Sequence, residues 1–336
     1  MYPEIPLIPA ILLAIVGLAV LAWSANLFVD AAATIARALG VSPFVIGMVI
    51  IGFGTSAPEL CVSALSGITG HSNLSLGNAY GSCIFNIACI LGVAAVIRPL
   101  AVRPAIVYAA APMLVAISAI SCLQVGMGGG FSRLDGMVEL LLFLVLMPLY
   151  CWFDQRSKGV AAGEDRVEEV ERPRGGMARA WAMLAAGLAL LVGSSHVLVW
   201  GCVVVARRCG VSELLIGLTV VAVGTSLPEL ASAVASARKG QNEFVLGNIV
   251  GSNLFNTLAV VGLAGTISPF RDTSAYVLYR DMPVLVALSA SIALFGFNWR
   301  HPRQGGSITR AKGVLWLLAF LAYYAVMMFQ ELRPAG

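Results

Sequence analysis

The chain has 336 residues, of which 59% are hydrophobic and only 11% charged, with a mean hydropathy of +0.89 and a formal net charge of +4. A soluble domain carries about 25% charged residues, so this composition places the chain in the membrane class and excludes an ordinary soluble enzyme or binding domain. The basic excess follows loop placement and implies no nucleic-acid partner.

A span needs roughly 20 apolar residues to cross the hydrocarbon. Ten such segments are expected, at approximately 7–28, 41–66, 76–97, 105–124, 134–153, 178–200, 211–236, 245–267, 282–298 and 313–329. The start, Met1-Tyr2-Pro3-Glu4, lacks the positive region of a signal peptide, so the first segment is expected to remain as a span. Between the fifth and sixth, the charged stretch from Asp154 to Arg174 reads as a solvated linker. Domains are therefore expected as a first five-helix unit over 1–153, a cytoplasmic linker over 154–177 and a second five-helix unit over 178–336. With the N-terminus outside, 15 of the 21 Lys and Arg fall in inner loops. The positive-inside rule then puts both termini outside a cell membrane.

The two units repeat each other at an offset of 170. Gly54-Thr55-Ser56-Ala57-Pro58-Glu59-Leu60 returns as Gly224-Thr225-Ser226-Leu227-Pro228-Glu229-Leu230. Gly40-Val41-Ser42, Gly77-Asn78, Gly81-Ser82 and Phe85-Asn86 return as Gly210-Val211-Ser212, Gly247-Asn248, Gly251-Ser252 and Phe255-Asn256. The match is ungapped from Gly40 to Pro99, and by Pro112 and Pro283 it has slipped one residue. Five spans per unit is an odd number, so the second copy must enter the membrane from the opposite side. That makes an all-α integral membrane fold of two inverted-topology repeats, whose sites lie at the repeat interface near the midplane.

Glu59 and Glu229 are carboxylates inside apolar spans, which is by default a functional site. Pro58 and Pro228 lack an amide proton and clash with the carbonyls of Gly54 and Gly224, so each helix must kink or break there. The freed carbonyls are expected to line an enclosed cavity and face a cation. Thr55 and Glu59, like Thr225 and Glu229, are four apart and share a helix face, and Ser82 with Asn86 and Ser252 with Asn256 repeat that spacing. Carboxylate, hydroxyl, amide and carbonyl oxygens suit a hard cation such as Ca2+. Each hydroxyl taken alone also reads as structural, Asn86 and Asn256 also as interhelical glue, and Gly77, Gly81, Gly247 and Gly251 as packing residues. Asp30, Glu139 and Asp281 lie near span ends and are expected to reach the interface; Glu213 after Ser212 reads as a helix cap. The seven cysteines show no metal-ligand or disulfide spacing, and His71, His196 and His301 form no metal set. No nucleophile with a base appears among the spans, so an intramembrane enzyme is not expected.

At these motifs the chain resembles the calcium/cation antiporter superfamily of the sodium/calcium exchangers, and looks closest to short bacterial members. The resemblance implies a ten-helix fold with a core of spans 2, 3, 7 and 8, and long spans 1 and 6 that slide to alternate access. It makes Glu59 and Glu229 carboxylate ligands shared by Ca2+ and Na+, with Thr55 and Thr225 giving mainly carbonyls. Ser56, Ser226, Ser82 and Ser252 would serve flanking Na+ sites, Gly52 and Ala222 would offer carbonyls, and Asn86 would join the central cluster. Such exchangers often have an aspartate where this chain has Asn256, so the site here has at most two acids. Na+ and H+ therefore both stand as the coupling ion. The transported ions and the lipid bilayer are the implied partners, with no cofactor and no obligatory protein partner.

Overall fold

The computed structural model describes residues 5–68, 72–127, 130–161, 176–210, 222–270, 273, 275–301 and 304–331. Its helices are α1 (Leu7–Leu39), α2 (Pro43–Thr55), α3 (Ala57–Ile68), α4 (Ser75–Ile97), α5 (Ile106–Gly126) and α6 (Arg133–Ala161). They continue as α7 (Gly176–Arg208), α8 (Leu227–Arg238), α9 (Asn242–Ile267), α10 (Val277–Gly296) and α11 (Arg310–Glu331). Among the described residues eight helices are long and apolar enough to cross a membrane, and the bent pair of α2 and α3 makes a ninth span. The expected span at 211–236 lies partly outside the described residues, as do Val211, Ser212 and Glu213.

The spans fall close to the expected segments, with two long exceptions. α1 and α7 each run 33 residues, about 50 Å at 1.5 Å per residue, well beyond a ~30 Å hydrocarbon core. They must tilt or emerge from it. The hydropathy of α1 fades at Asp30 and Arg37, yet its alanine-rich end stays helical until Gly40, whose φ of 63° supplies the left-handed stop. Gly210, at φ 77°, stops α7 in the same way. α2 begins directly after, with Ser42 Oγ accepting from the Val45 amide and Pro43 in the first turn. The two long helices lie along one another through glycines: a Cβ on Gly17 would sit 2.7 Å from the Leu198 nitrogen, and one on Gly201 2.6 Å from the Ala10 carbonyl oxygen.

The centre of the bundle is α9, whose hydrophobic window is wholly buried, flanked by the largely buried α4. α9 meets α2 at glycines on both sides, since a Cβ on Gly247 would lie 2.3 Å from the Phe44 oxygen and one on Gly52 2.8 Å from the Ser252 nitrogen. Leucines and isoleucines on the outer faces of α1, α6 and α11 are exposed, which suits lipid contact. This is a multi-pass membrane protein, and among the described residues its regular structure is helical apart from two three-residue strands. β1 (Leu100–Val102) pairs antiparallel with β2 (Gly306–Ile308), Leu100 opposite Ile308. Phe270, one repeat on from Leu100, makes the corresponding bridge to Phe131.

Several spans carry a wider π-helical turn: Gly47–Gly52 in α2, Asn86–Leu91 in α4, Ile106–Ala110 in α5, Phe255–Val260 in α9 and Val277–Asp281 in α10. The turns in α4 and α9 stand 169 apart, one residue short of the repeat. Those in α5 and α10 stand 171 apart, the same one-residue slip that the prolines show. π-turns concentrate at functional positions because the extra residue re-aims side chains.

Asp154 departs from the solvated-linker expectation. It is 1% exposed, accepts a 2.5 Å hydrogen bond from Ser42 Oγ and lies 3.5 Å from Arg103, which also pairs with Glu243 at 2.6 Å. α6 continues to Ala161 and α7 starts at Gly176, so the uninterrupted linker is shorter than its charge pattern implied; 162–175 lie outside the described residues. Asp154→Ala leaves Ser42 without its acceptor and weakens the tie between α2 and α6. The expected cost is about 2 kcal/mol, the low side for a broken buried pair because Arg103 keeps Glu243. Thermal unfolding of the purified protein in detergent should register it as a drop of several degrees.

Candidate ion-binding site

α2 ends at Thr55 and α3 starts at Ala57, meeting at 43°, so the break expected from Pro58 is present. Ser56 lies in the break with ψ at 7°, and its counterpart Ser226, ψ 10°, precedes α8. The two breaks face each other. Ser56 Oγ donates to Glu229 Oε1 at 2.9 Å, and Ser226 Oγ donates to Glu59 Oε1 at 3.1 Å. Each repeat's serine thus holds the other repeat's carboxylate. Both glutamates are fully buried and lie within electrostatic reach of one another.

One oxygen of each carboxylate is held by a hydroxyl, and among the described residues Oε2 of each accepts no hydrogen bond. The Oδ1 atoms of Asn86 and Asn256 are also buried without a donor. Asn86 and Asn256 sit in the π-turns of α4 and α9, and both are fully buried. Burying unpaired acceptors in a membrane interior is costly, and a bound cation is the natural compensation. Among the described residues no cluster of three His, Cys, Asp or Glu exists, so the acidic part of this set is the glutamate pair.

The flanks differ. On one side Ser226 Oγ also lies 3.3 Å from Ser82 Oγ, which links Ser82 to the Glu59 group. On the other, Ser252 Oγ donates to the Gly52 carbonyl at 3.2 Å. Gly52 oxygen also accepts from the Ser56 amide at 3.2 Å. Thr55 Oγ1 donates back to the Ile51 carbonyl at 3.0 Å and lies 3.4 Å from Asn248 Oδ1. Thr225 is half-buried in the second break. Of the carbonyls freed by proline, that of Gly224 accepts from Ser195 Oγ of α7 at 2.9 Å, so a neighbouring hydroxyl takes the place expected for a cation. Gly247 and Gly251 pack as expected, whereas a Cβ on Gly77 or Gly81 would meet no described atom within 4 Å.

Two sets of residues join the site without having been singled out. Asn78 Nδ2 donates to the Glu59 carbonyl at 3.4 Å and to Ser63 at 3.2 Å; Asn248 Nδ2 donates to the Glu229 carbonyl at 3.3 Å and to Ser232 at 3.0 Å. Each asparagine pins the backbone of its own repeat's glutamate. Their repetition in Gly-Asn-x-x-Gly-Ser was the available signal. Asn253, fully buried, accepts from Asn86 Nδ2 at 3.0 Å and donates to the Cys83 carbonyl at 3.2 Å. Its repeat counterpart is Cys83 itself, so the two equivalent positions touch across the interface.

The three residues expected to reach the membrane surface divide. Asp30 does, pairing with Lys239 at 2.7 Å. Asp281 is nearly buried and is held by Arg280 at 2.6 Å and the Tyr323 hydroxyl at 2.9 Å. Glu139 is fully buried in the bundle, contrary to that expectation.

Residues 9–152 and 179–329 match the family described as sodium/calcium exchanger protein. The chain is 38% identical over 317 residues to a putative antiporter, CaxA, of Alkalimonas amylolytica, covering 94% of this chain and 97% of that one. It is 37% identical over 320 residues to the inner membrane protein YrbG of Escherichia coli, covering 94% and 95%. The sodium-calcium exchanger NCX_Mj, in a structure soaked with 10 mM Na+ and zero Ca2+, superimposes with a TM-score of 0.80 at 28% identity, covering 98% of this chain and 100% of that one. Two of these three are described by transport, one as an antiporter and one as an exchanger. With the family matched over 9–152 and 179–329, and with a buried glutamate from each of these stretches meeting the other's serine, the chain belongs to the sodium/calcium exchanger protein family.

Proposed function

We propose that the protein is a secondary antiporter that moves Ca2+, or a related divalent cation, against Na+ by alternating access through one site shared by Glu59 and Glu229. The observation that carries this reading is the crossed pair of hydrogen bonds, Ser56 to Glu229 and Ser226 to Glu59, which leaves Oε2 of each carboxylate free to face a cation. Two negative charges balance one divalent ion or two monovalent ones. A site that holds either load but not both couples their movements.

The offset-170 repeat supports ten spans arranged as two inverted repeats of five, over 1–153 and 178–336, with a cytoplasmic linker and both termini outside the cell membrane. In this scheme Asn86 and Asn256 add neutral oxygens, Thr55 and Thr225 give mainly backbone carbonyls, and Ser56, Ser226, Ser82 and Ser252 serve flanking Na+ positions. The lengths of α1 and α7 and their glycine-lined contact suit a pair of helices that slide as a unit. Because both repeats carry Asn at the position of a third acid, proton-coupled exchange is the second reading.

Purified protein in liposomes decides between them. With Ca2+ outside, an outward Na+ gradient is expected to drive uptake at least tenfold above that with no gradient. Uptake driven only by an outward H+ gradient replaces Na+ with H+, and flux that ignores every gradient overturns antiport.

A further inference from the structure

Glu139 is a second buried carboxyl that the transport reading leaves unused. It lies on α6, six residues from Arg133 or about 9 Å along the helix, and is 0% exposed. Both carboxyl oxygens are buried, and among the described residues neither accepts a hydrogen bond. Among the described residues the carboxylates in ion pairs are Asp30, Asp154, Glu243 and Asp281, not Glu139. A full negative charge in this position, with no counter-charge among the described residues, would be strongly unfavourable.

What faces it is a set of neutral oxygens. The Ser121 hydroxyl of α5 is directed at Glu139, and the Tyr80 hydroxyl of α4 lies 2.7 Å from that same Ser121 oxygen. Tyr80 and Ser121 are themselves fully buried. Gln124, one turn further along α5 and on the same face as Ser121, adds a buried amide oxygen without a donor. From α9 the neighbour is Gly262: a Cβ there would lie 3.2 Å from Glu139 Cβ, and one on Gly136 would lie 2.6 Å from the Gly262 oxygen. The titratable groups within reach are Tyr80 of α4, Cys122 of α5 and Asp135 of α6 itself, all acidic. Asp135 is committed to capping, accepting from the Ser132 amide at 2.8 Å and the Ser132 hydroxyl at 2.6 Å. None of these groups supplies a positive charge.

We propose that Glu139, with Ser121, Tyr80 and Gln124, forms a second cation-binding site that takes one monovalent cation, H+ or Na+. One carboxylate is neutralised by one such charge, whereas a divalent ion would leave an excess of one. The site lies outside the repeated motif of the transport pair: 170 and 171 residues on from Glu139 stand Thr309 and Arg310, so the other repeat has no copy. It is nevertheless connected to it. Phe143, one turn along α6 from Glu139, packs on Phe255 at 5.7 Å, and Phe255 packs on Phe53 of α2 at 4.8 Å.

The test is infrared difference spectroscopy on purified Glu59→Gln/Glu229→Gln protein, which removes the transport carboxyls and so stands apart from the exchanger reading. Spectra are taken across pH in choline chloride and again with added NaCl. A proton occupant gives a protonated-carboxyl carbonyl band at neutral pH that fades at alkaline pH and disappears when Glu139→Gln is added. A Na+ occupant gives that band in choline and replaces it with an ionised-carboxylate band on adding NaCl. Should the triple variant not fold, Ser121→Ala in the same background must shift the band by removing the hydroxyl. An ionised-carboxylate signal at every pH and salt, or a band indifferent to both Glu139→Gln and Ser121→Ala, overturns the proposal.

Discussion

Glu59→Gln and Glu229→Gln are each expected to lower Na+-driven Ca2+ uptake by at least a hundredfold while the protein still folds. The amide keeps an Oε1 acceptor, so Ser226 and Ser56 retain their hydrogen bonds of 3.1 and 2.9 Å and the two breaks stay joined. What goes is one of two charges. A pair of unit charges at 4 Å is worth about 4 kcal/mol at an effective dielectric near 20, and a divalent ion doubles it, so a loss of only 3 kcal/mol in net binding already exceeds a hundredfold. The crossed geometry also requires the two variants to behave alike, since each glutamate belongs to the same cluster. Uptake in proteoliposomes, normalised to folded protein by size-exclusion chromatography, checks both points. If either variant alone kept more than half the wild-type rate, a single site shared by the two repeats would be untenable.

How much of this was legible in the sequence follows from how each feature is written there. Glu59 and Glu229 stood out because a charge amid apolar residues, repeated with its proline, has few structural explanations. Their crossing over to the serines of the opposite repeat was not legible, because it depends on how two broken helices face each other. Asn253 was hidden for a related reason. Matching identical residues between repeats favours positions that do the same job twice, and Cys83 and Asn253 differ because they contact one another. The depth of Glu139 is not written in its distance from a segment end. α6 presses its glycine face on α9 at Gly136 and Gly262, and this carries the carboxyl inward only about two turns from solvent-facing Ser132. The extent of α1 was underestimated because Asp30 and Arg37 end the hydropathic run; Asp30 instead finds Lys239 at the surface, and the helix continues to a glycine stop.

Gly251→Ala is expected to destabilise the protein by about 3 kcal/mol or more and to remove transport with it. A Cβ at this position would lie 2.2 Å from the Met48 carbonyl oxygen and 2.6 Å from Met48 Cα. Both are backbone atoms of α2, so no side chain can rotate away, and the strain sits at or above the usual 1–3 kcal/mol of an overpacked core. Relief requires α9 to move off α2. That motion would lengthen the hydrogen bond from Ser252 to the Gly52 carbonyl and draw Asn248 away from Thr55. Asn248 also holds the Glu229 carbonyl, so the displacement reaches the ion site through the backbone. Gly193→Ala of α7 is the matched control: its new methyl meets no described atom within 4 Å, and the change is expected to gain up to about 1 kcal/mol in helix propensity. Thermal unfolding in detergent should therefore move in opposite directions for the two variants. Equal stability for wild type and Gly251→Ala, with transport intact, would mean that α2 and α9 separate without cost and that this glycine seam does not position Glu229.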